Sequence, residues 1–247
     1  MRRGICLVVA LMLVCIFFGC GESEQKDTTT STTIRNTTTT TKSTTATTDL
    51  ITALTNGVHG NEKDFTYEYV NDGVVITGYI GEETEIIIPQ IISGRMVVEI
   101  GFEAFKNSSV KSVTVPFGVK KIGAFAFYQS SLEWIEIPET VTFIGNNAFS
   151  YTNLTEFETP MGISVVSAEM LSFCDSLEAV IIGNNITQVD YGAFAFCMSL
   201  EAVYVPYTVE YISDDVFEGC YDLILYGEED SYAEQFAEEN EMIFEIV

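Results

Sequence analysis

Apolar and polar positions recur along this chain at a fixed interval of 22 or 23 residues. The phrase is clearest in Leu132-Glu-Trp-Ile135-Glu-Ile137-Pro138, followed by Val141-Thr-Phe-Ile144-Gly145-Asn-Asn-Ala148-Phe149. Its leading apolar residue falls at Val110, Leu132, Leu154, Leu177, Leu200 and Leu223, and its closing one at Phe105, Phe127, Phe149, Leu171, Phe194 and Phe217. Self-similarity of this period is the signature of stacked repeats. Within each unit the strand phrase alternates, so Ile135 and Ile137 share one face while Glu136 points the other way. Pro116, Pro138, Pro160 and Pro206 then end the strand, with Gly183 standing in once, because proline cannot continue a ladder. The second half returns inward through Val141, Ile144, Ala148 and Phe149, which gives each coil two walls. A lone coil buries too little apolar surface to offset its ordering entropy, so neighbouring coils must supply the rest. The pattern therefore predicts a mainly β repeat solenoid with parallel strands.

The ends of the array read as caps. In residues 61–109 a leading unit alternates Phe65, Tyr67 and Tyr69, turns at Asn71-Asp72-Gly73 and returns from Val74 to Ile80, which predicts a hairpin over the first coil. Five repeats occupy 110–222. In the closing segment, 223–247, Ser231 is a helix N-cap ahead of Ala233, Phe236 and Ala237 on one side, and Met242 to Val247 reads as a last strand. The coil at 154–176 departs from the pattern, with Val166-Ser167 for Ile-Gly and Met170-Leu171 for Ala-Phe. Local irregularity without a break is expected there.

The first sixty residues belong to a different kind of chain. Arg2 and Arg3 precede an apolar run from Ile5 to Phe18 and then Gly19-Cys20, the layout of a secretory signal over 1–19 and too short for a membrane span. Phe17-Phe18-Gly19-Cys20 also resembles the bacterial lipobox, which implies lipidation of Cys20, although Phe17 stands where leucine is usual. The alternative is a plain cleaved signal. Residues 28 to 48 are mostly threonine and cannot repay the entropy of ordering, so 20–60 reads as a tether. From Gly21 to His59 it would average about 35 Å end to end and reach about 130 Å if pulled straight.

Charge narrows the partners. The chain holds 36 Asp and Glu against 11 Lys and Arg, and no Lys or Arg follows Lys121. Such a surface repels nucleic acid and anionic headgroups, whose binding depends on cations displacing counterions from phosphates. It also keeps an exposed solenoid in solution.

The motifs Ile-Pro, Ile-Gly-x-x-Ala-Phe and Ala-Phe-x-x-Cys-x-x-Leu, whole at Ala193-Phe194-Ala-Phe-Cys197-Met-Ser-Leu200, resemble the BspA-like, Treponema-type leucine-rich repeats. Ile76-Thr77-Gly78-Tyr79 and the ending Tyr226-Gly227 through Ser231-Tyr232-Ala233-Glu234 share the likeness, which spans about residues 65 to 247. The resemblance implies a right-handed leucine-rich-repeat coil on bacterial surface or secreted proteins, used for adhesion and protein binding. It carries no catalytic residues to transfer.

Candidate chemistry is sparse. His59, the single histidine, precedes the folded part, so no Ser-His or Cys-His pair with a base held in the solenoid can be built. Acid pairs such as Asp214-Asp215, or Glu133 with Glu136, point to no cleft and read as solvated faces rather than an enzyme's acid and base. No cofactor motif is present. Calcium could take Glu228-Glu229-Asp230 or Asp214-Asp215, though no Asp-x-Asp-x-Asp-Gly loop occurs. Cys174, Cys197 and Cys220 are one repeat apart and would stack about 5 Å from one another, within disulfide range. A metal ladder is also conceivable, but their apolar stripe points to buried reduced thiols.

Outward strand positions supply the binding candidates. Thr114, Glu136, Glu158, Ile181 and Tyr204 form one column, with Ser112, Trp134, Glu156, Ala179 and Ala202 two residues earlier. The second wall presents Lys120 and Lys121, Phe143, Thr187 and Gln188, then Glu210 and Tyr211. The candidate set is therefore Trp134, Glu136, Glu156, Glu158, Ile181, Tyr204, Phe143 and Tyr211, with the lone tryptophan as the expected anchor for a protein ligand. Exposed tyrosines and Trp134 could alternatively stack on sugar rings of a captured nutrient, and a purely structural envelope role would need no ligand.

Overall fold

A computed structural model describes residues 61–247. The expected signal at 1–19, Cys20 and the tether through residue 60 lie outside the described residues.

Among the described residues, seventeen short strands and one α-helix, preceded by a 3-10 turn at Glu62–Asp64, alternate with turns in the order the repeat dictates. They are β1 (Phe65–Val70), β2 (Gly73–Tyr79), β3 (Glu85–Ile87), β4 (Ile91–Ile92), β5 (Arg95–Ile100), β6 (Ser112–Thr114), β7 (Lys121–Ile122), β8 (Trp134–Glu136) and β9 (Phe143–Ile144). Then come β10 (Glu156–Glu158), β11 (Val165–Val166), β12 (Ala179–Ile181), β13 (Gln188–Val189), β14 (Ala202–Tyr204), β15 (Tyr211–Ile212), β16 (Ile224–Gly227), α1 (Tyr232–Glu239) and β17 (Ile243–Ile246). The first wall stacks β3-β6-β8 and then β10-β12-β14-β16-β17 in parallel, and the second runs β2-β5-β7-β9 and then β11-β13-β15. Equivalent residues pair one coil apart, as in Ser112 with Trp134 and Ala179 with Ala202. The mainly β leucine-rich-repeat solenoid expected from the pattern is the observed architecture.

The turns that follow the second wall form a third ladder that is not a sheet. Phe125, Gln129, Asn147, Tyr151, Glu169, Phe173 and Phe196 all have φ between +54° and +61°. This left-handed conformation aims each N–H along the solenoid axis, so Gln129 N–H donates to Ser150 O (3.0 Å), Tyr151 to Ser172 O (3.0 Å) and Phe173 to Ala195 O (2.8 Å). A left-handed residue with a Cβ costs about 1–2 kcal/mol, and the hydrogen bond to the next coil offsets that cost at every repeat.

Inside, one column of closing residues carries the array. Phe105, Phe127 and Phe149 stack at 4.8 Å and 5.6 Å between ring centroids, and Phe194 and Phe217 at 5.7 Å. Leu171 fills the place between them and is fully buried. The glycine after the second strand has a steric reason: a Cβ on Gly145 would lie 2.4 Å from the Ala124 backbone nitrogen. At Gly101, Gly123 and Gly145 alike, the backbone of the preceding coil leaves no room for a side chain.

Both caps match their reading. β1 and β2 form an antiparallel hairpin whose second strand pairs with β5, and Phe65 packs on Phe105 at 6.4 Å. At the far end the Ser231 hydroxyl accepts from the Glu234 N–H (3.2 Å), Ala233, Phe236 and Ala237 are buried, and β17 closes the first wall. Among the described residues neither wall pairs across one step, β8 with β10 or β9 with β11. That step enters the irregular coil. Phe157, larger than the Val113, Ile135, Val180 and Val203 of its column, sits at the centre of β10 and meets Phe149 at 5.5 Å. Ser167 replaces the usual glycine and its hydroxyl donates to Ile144 O (2.5 Å), where the glycine N–H donates in regular coils. The third ladder and the apolar core run through without interruption.

Candidate binding surface

Alternation along β8 and β10 turns Ile135 and Phe157 inward and leaves Trp134, Glu136, Glu156 and Glu158 exposed on the first wall. Trp134 keeps 47% of its surface open. Around it Lys111 Nζ pairs with Glu133 Oε1 at 2.8 Å, and that hydrogen bond holds the lysine above its ordinary pKa. Thr114 donates to Glu136 Oε2 at 3.5 Å. The patch is an indole on an acidic sheet face, suited to an apolar or cationic side chain of a partner.

Ile181 and Tyr204, expected to extend this exposed column, do not. They are 6% and 7% exposed, and Ala179 and Ala202 beside them are buried as well. The parallel register places Tyr204 between Ile181 and Tyr226, one strand spacing to each side. Large apolar side chains in adjacent strands cover one another, and alanines in the next column leave room for them to lie down. The Tyr204 hydroxyl donates to Glu228 Oε1 (3.0 Å), and burial together with the Glu228 charge pushes its pKa up to about 12. These residues belong to the structure of the wall rather than to its open surface.

Phe143 and Tyr211 are each 48% exposed, but they lie on the second wall, in β9 and β15. Lys121 lies over the Phe143 ring at 5.8 Å and pairs with Glu99 at 2.9 Å. The eight candidates therefore divide into a first-wall patch of four, a second-wall pair and two buried residues.

Sequence reasoning missed the aromatic ridge on the turns. Phe102, Phe125, Tyr128, Tyr151, Phe173 and Phe196 follow one another at 4.6–5.9 Å. Tyr151 and Phe173 lie nearly parallel, at 4°. The available signal was an aromatic at one fixed offset after the closing residue, at Tyr151, Phe173 and Phe196. Because stacked rings cover one another's faces, that part of the ridge presents edges, a poor platform for sugars that need an open ring face.

The three cysteines stack inside the coils as free thiols. Cys174, Cys197 and Cys220 donate to Phe149 O (3.2 Å), Leu171 O (3.1 Å) and Phe194 O (3.2 Å). Burial pushes Cys220 up to about 11. Among the described residues no group of three or more His, Cys, Asp or Glu converges as a metal site, and no helix is long and apolar enough to cross a membrane.

Residues 98–224 match six copies of the BspA type leucine rich repeat region. The leucine-rich repeat protein of Treponema pallidum is similar in structure, with 28% identity and a TM-score of 0.67 over 76% of this chain and 98% of that one. A leucine rich cell surface protein of Faecalibacterium prausnitzii, at 24% identity and a TM-score of 0.52, aligns over 68% of this chain and 54% of its own length. The pneumococcal vaccine antigen PcpA, at 19% identity and a TM-score of 0.58, shares the fold over 67% of this chain and 49% of its own. No curated protein matches the sequence. With its coils, its closing phenylalanine column and the six matched copies in agreement, this chain belongs to the BspA-type leucine-rich repeat proteins.

Proposed function

We propose that this chain is a non-catalytic surface protein that binds a protein partner through the first wall of its solenoid. The observation that carries this reading is Trp134, half open on the first wall, with exposed Glu136 on its own strand and exposed Glu156 and Glu158 on the next strand of that wall. The partner docks an anchor against the indole and is oriented by the carboxylates. Export by the 1–19 signal and a lipid on Cys20 hold the solenoid at the bacterial membrane, with 20–60 as a tether. In one experiment, the full-length chain and a Trp134→Ala/Glu136→Ala variant capture surface and host-matrix proteins. Equal capture by both forms removes the first wall from the proposal. Palmitate labelling of wild type but not of Cys20→Ala supports the anchor, and equal labelling refutes it.

A further inference from the structure

On the second wall, near its C-terminal end, Ala168, Gln188, Asp190, Tyr191, Tyr211 and Ser213 line an open depression of about 490 Å³. The repeat explains its shape. Asp190 and Ser213 occupy the position that is glycine in the coils at Gly123 and Gly145, so two polar side chains line the depression where those coils carry none. Tyr211 of β15 and Tyr191 of the turn after β13 both line it, with 48% and 52% of their surfaces exposed. Gln188 Nε2 donates to Asp190 Oδ1 at 2.5 Å, which orients the carboxylate and leaves its second oxygen to a ligand.

We infer that this depression receives a cationic side chain, a guanidinium or ammonium of a polypeptide partner, set between Tyr191 and Tyr211 above Asp190. Ring faces attract cations, by about 0.5–2 kcal/mol each depending on desolvation, and the Asp190 carboxylate adds a charged hydrogen bond. The surroundings select the sign: residues 122–247 contain 23 acids and no Lys or Arg. A cation therefore meets no competing base on this part of the chain and gains from the field of the whole C-terminal half. An anion is repelled, and a neutral sugar gains nothing from that field. The size is suitable too, since the volume is at the low end of ordinary ligand clefts.

The site is separate from Trp134, which lies on the other wall, so either can fail without the other. The test is calorimetric titration of the full-length chain in nonionic detergent at low salt with acetylated, amidated tetra-arginine. A Tyr191→Ala/Tyr211→Ala variant is expected to bind about tenfold more weakly, about 1.4 kcal/mol shared by two exposed ring interactions. Asp190→Asn is expected to weaken binding several-fold. A Glu229→Gln/Asp230→Asn variant, which removes two charges elsewhere, should stay within twofold of wild type and so separates a built site from general attraction. Circular dichroism checks that the exposed tyrosine changes leave the fold intact. Equal binding by the tyrosine variant overturns the inference, as does tetra-citrulline binding as tightly as tetra-arginine. So does binding of cellobiose that vanishes in the tyrosine variant while arginine binding persists, which would make the depression a saccharide site.

Discussion

Truncating Phe127 to alanine probes what holds neighbouring coils together. The ring is fully buried and stacks on Phe105 at 4.8 Å and 10°, and on Phe149 at 5.6 Å and 18°. Phe→Ala in a well-packed core costs about 3–5 kcal/mol, and two ring partners that cannot collapse into the gap place this site at about 5 kcal/mol. Phe127→Leu is the matched control, because Leu171 already fills this column, fully buried, two coils further along. Leucine keeps most of the volume and loses only the ring-on-ring contribution, about 1–2 kcal/mol. Urea unfolding followed by far-ultraviolet circular dichroism gives both numbers, each variant being extrapolated to water with its own fitted slope. In a solenoid each coil touches only its neighbours. The alanine variant is therefore also expected to lower the slope of the first transition, as the array separates at the junction of the coils around residues 105, 127 and 149. A loss below about 2 kcal/mol for Phe127→Ala, or equal losses for the two variants, would refute the claim that this column carries the stacking energy.

Three further outcomes follow from the geometry. Gly145→Ala places a Cβ 2.4 Å from the Ala124 nitrogen and is expected to cost about 2–3 kcal/mol. Gly94→Ala, where φ is +74° and nothing lies within 4 Å, should cost only about 1 kcal/mol; equal losses on thermal melting would contradict the packing argument. Tyr204 has its folded pKa raised from the ordinary 10.0 to about 12, so its neutral form stabilises the fold fully below pH 10, and that contribution is lost as pH rises towards 12. Tyr204→Phe should shrink the loss of stability between those pH values, and an unchanged pH profile would remove Tyr204 as its source. Finally, thiol titration should find Cys174, Cys197 and Cys220 unreactive in native protein and all three reactive in denaturant; only one of the three reactive after unfolding would mean that the other two are bridged.

How much was legible beforehand differs from wall to wall. Inward positions such as Ile144, Ala148 and Phe149 recur with the period, and the inside of every coil is alike, so one phrase predicted nearly the whole core. The caps were equally readable, because the Asn71-Asp72-Gly73 turn and the Ser231 N-cap are local chemistry. Outward positions are a different matter. Glu158 and Ile181 hold equivalent places on adjacent strands, and alternation sends both away from the core. Only the neighbours one coil away decide that Glu158 is exposed while Ile181 is buried. The turn aromatics were hidden for another reason: Phe173 and Phe196 at positive φ contradict local preference, and only the hydrogen bonds to the next coil make that conformation affordable.

The sequence alone, then, determined the period, the coil, its two walls, both caps and the place of the irregular step, because each follows from burial that repeats at one interval or from chemistry within a few residues. The tertiary structure decided which outward side chains stay open, that both walls lose their ladder at the entry to the irregular coil, and that Tyr191, Tyr211 and Asp190 line one depression. Those outcomes depend on contacts between residues about 20 positions apart, where a side chain's surroundings are set by the next coil rather than by its own.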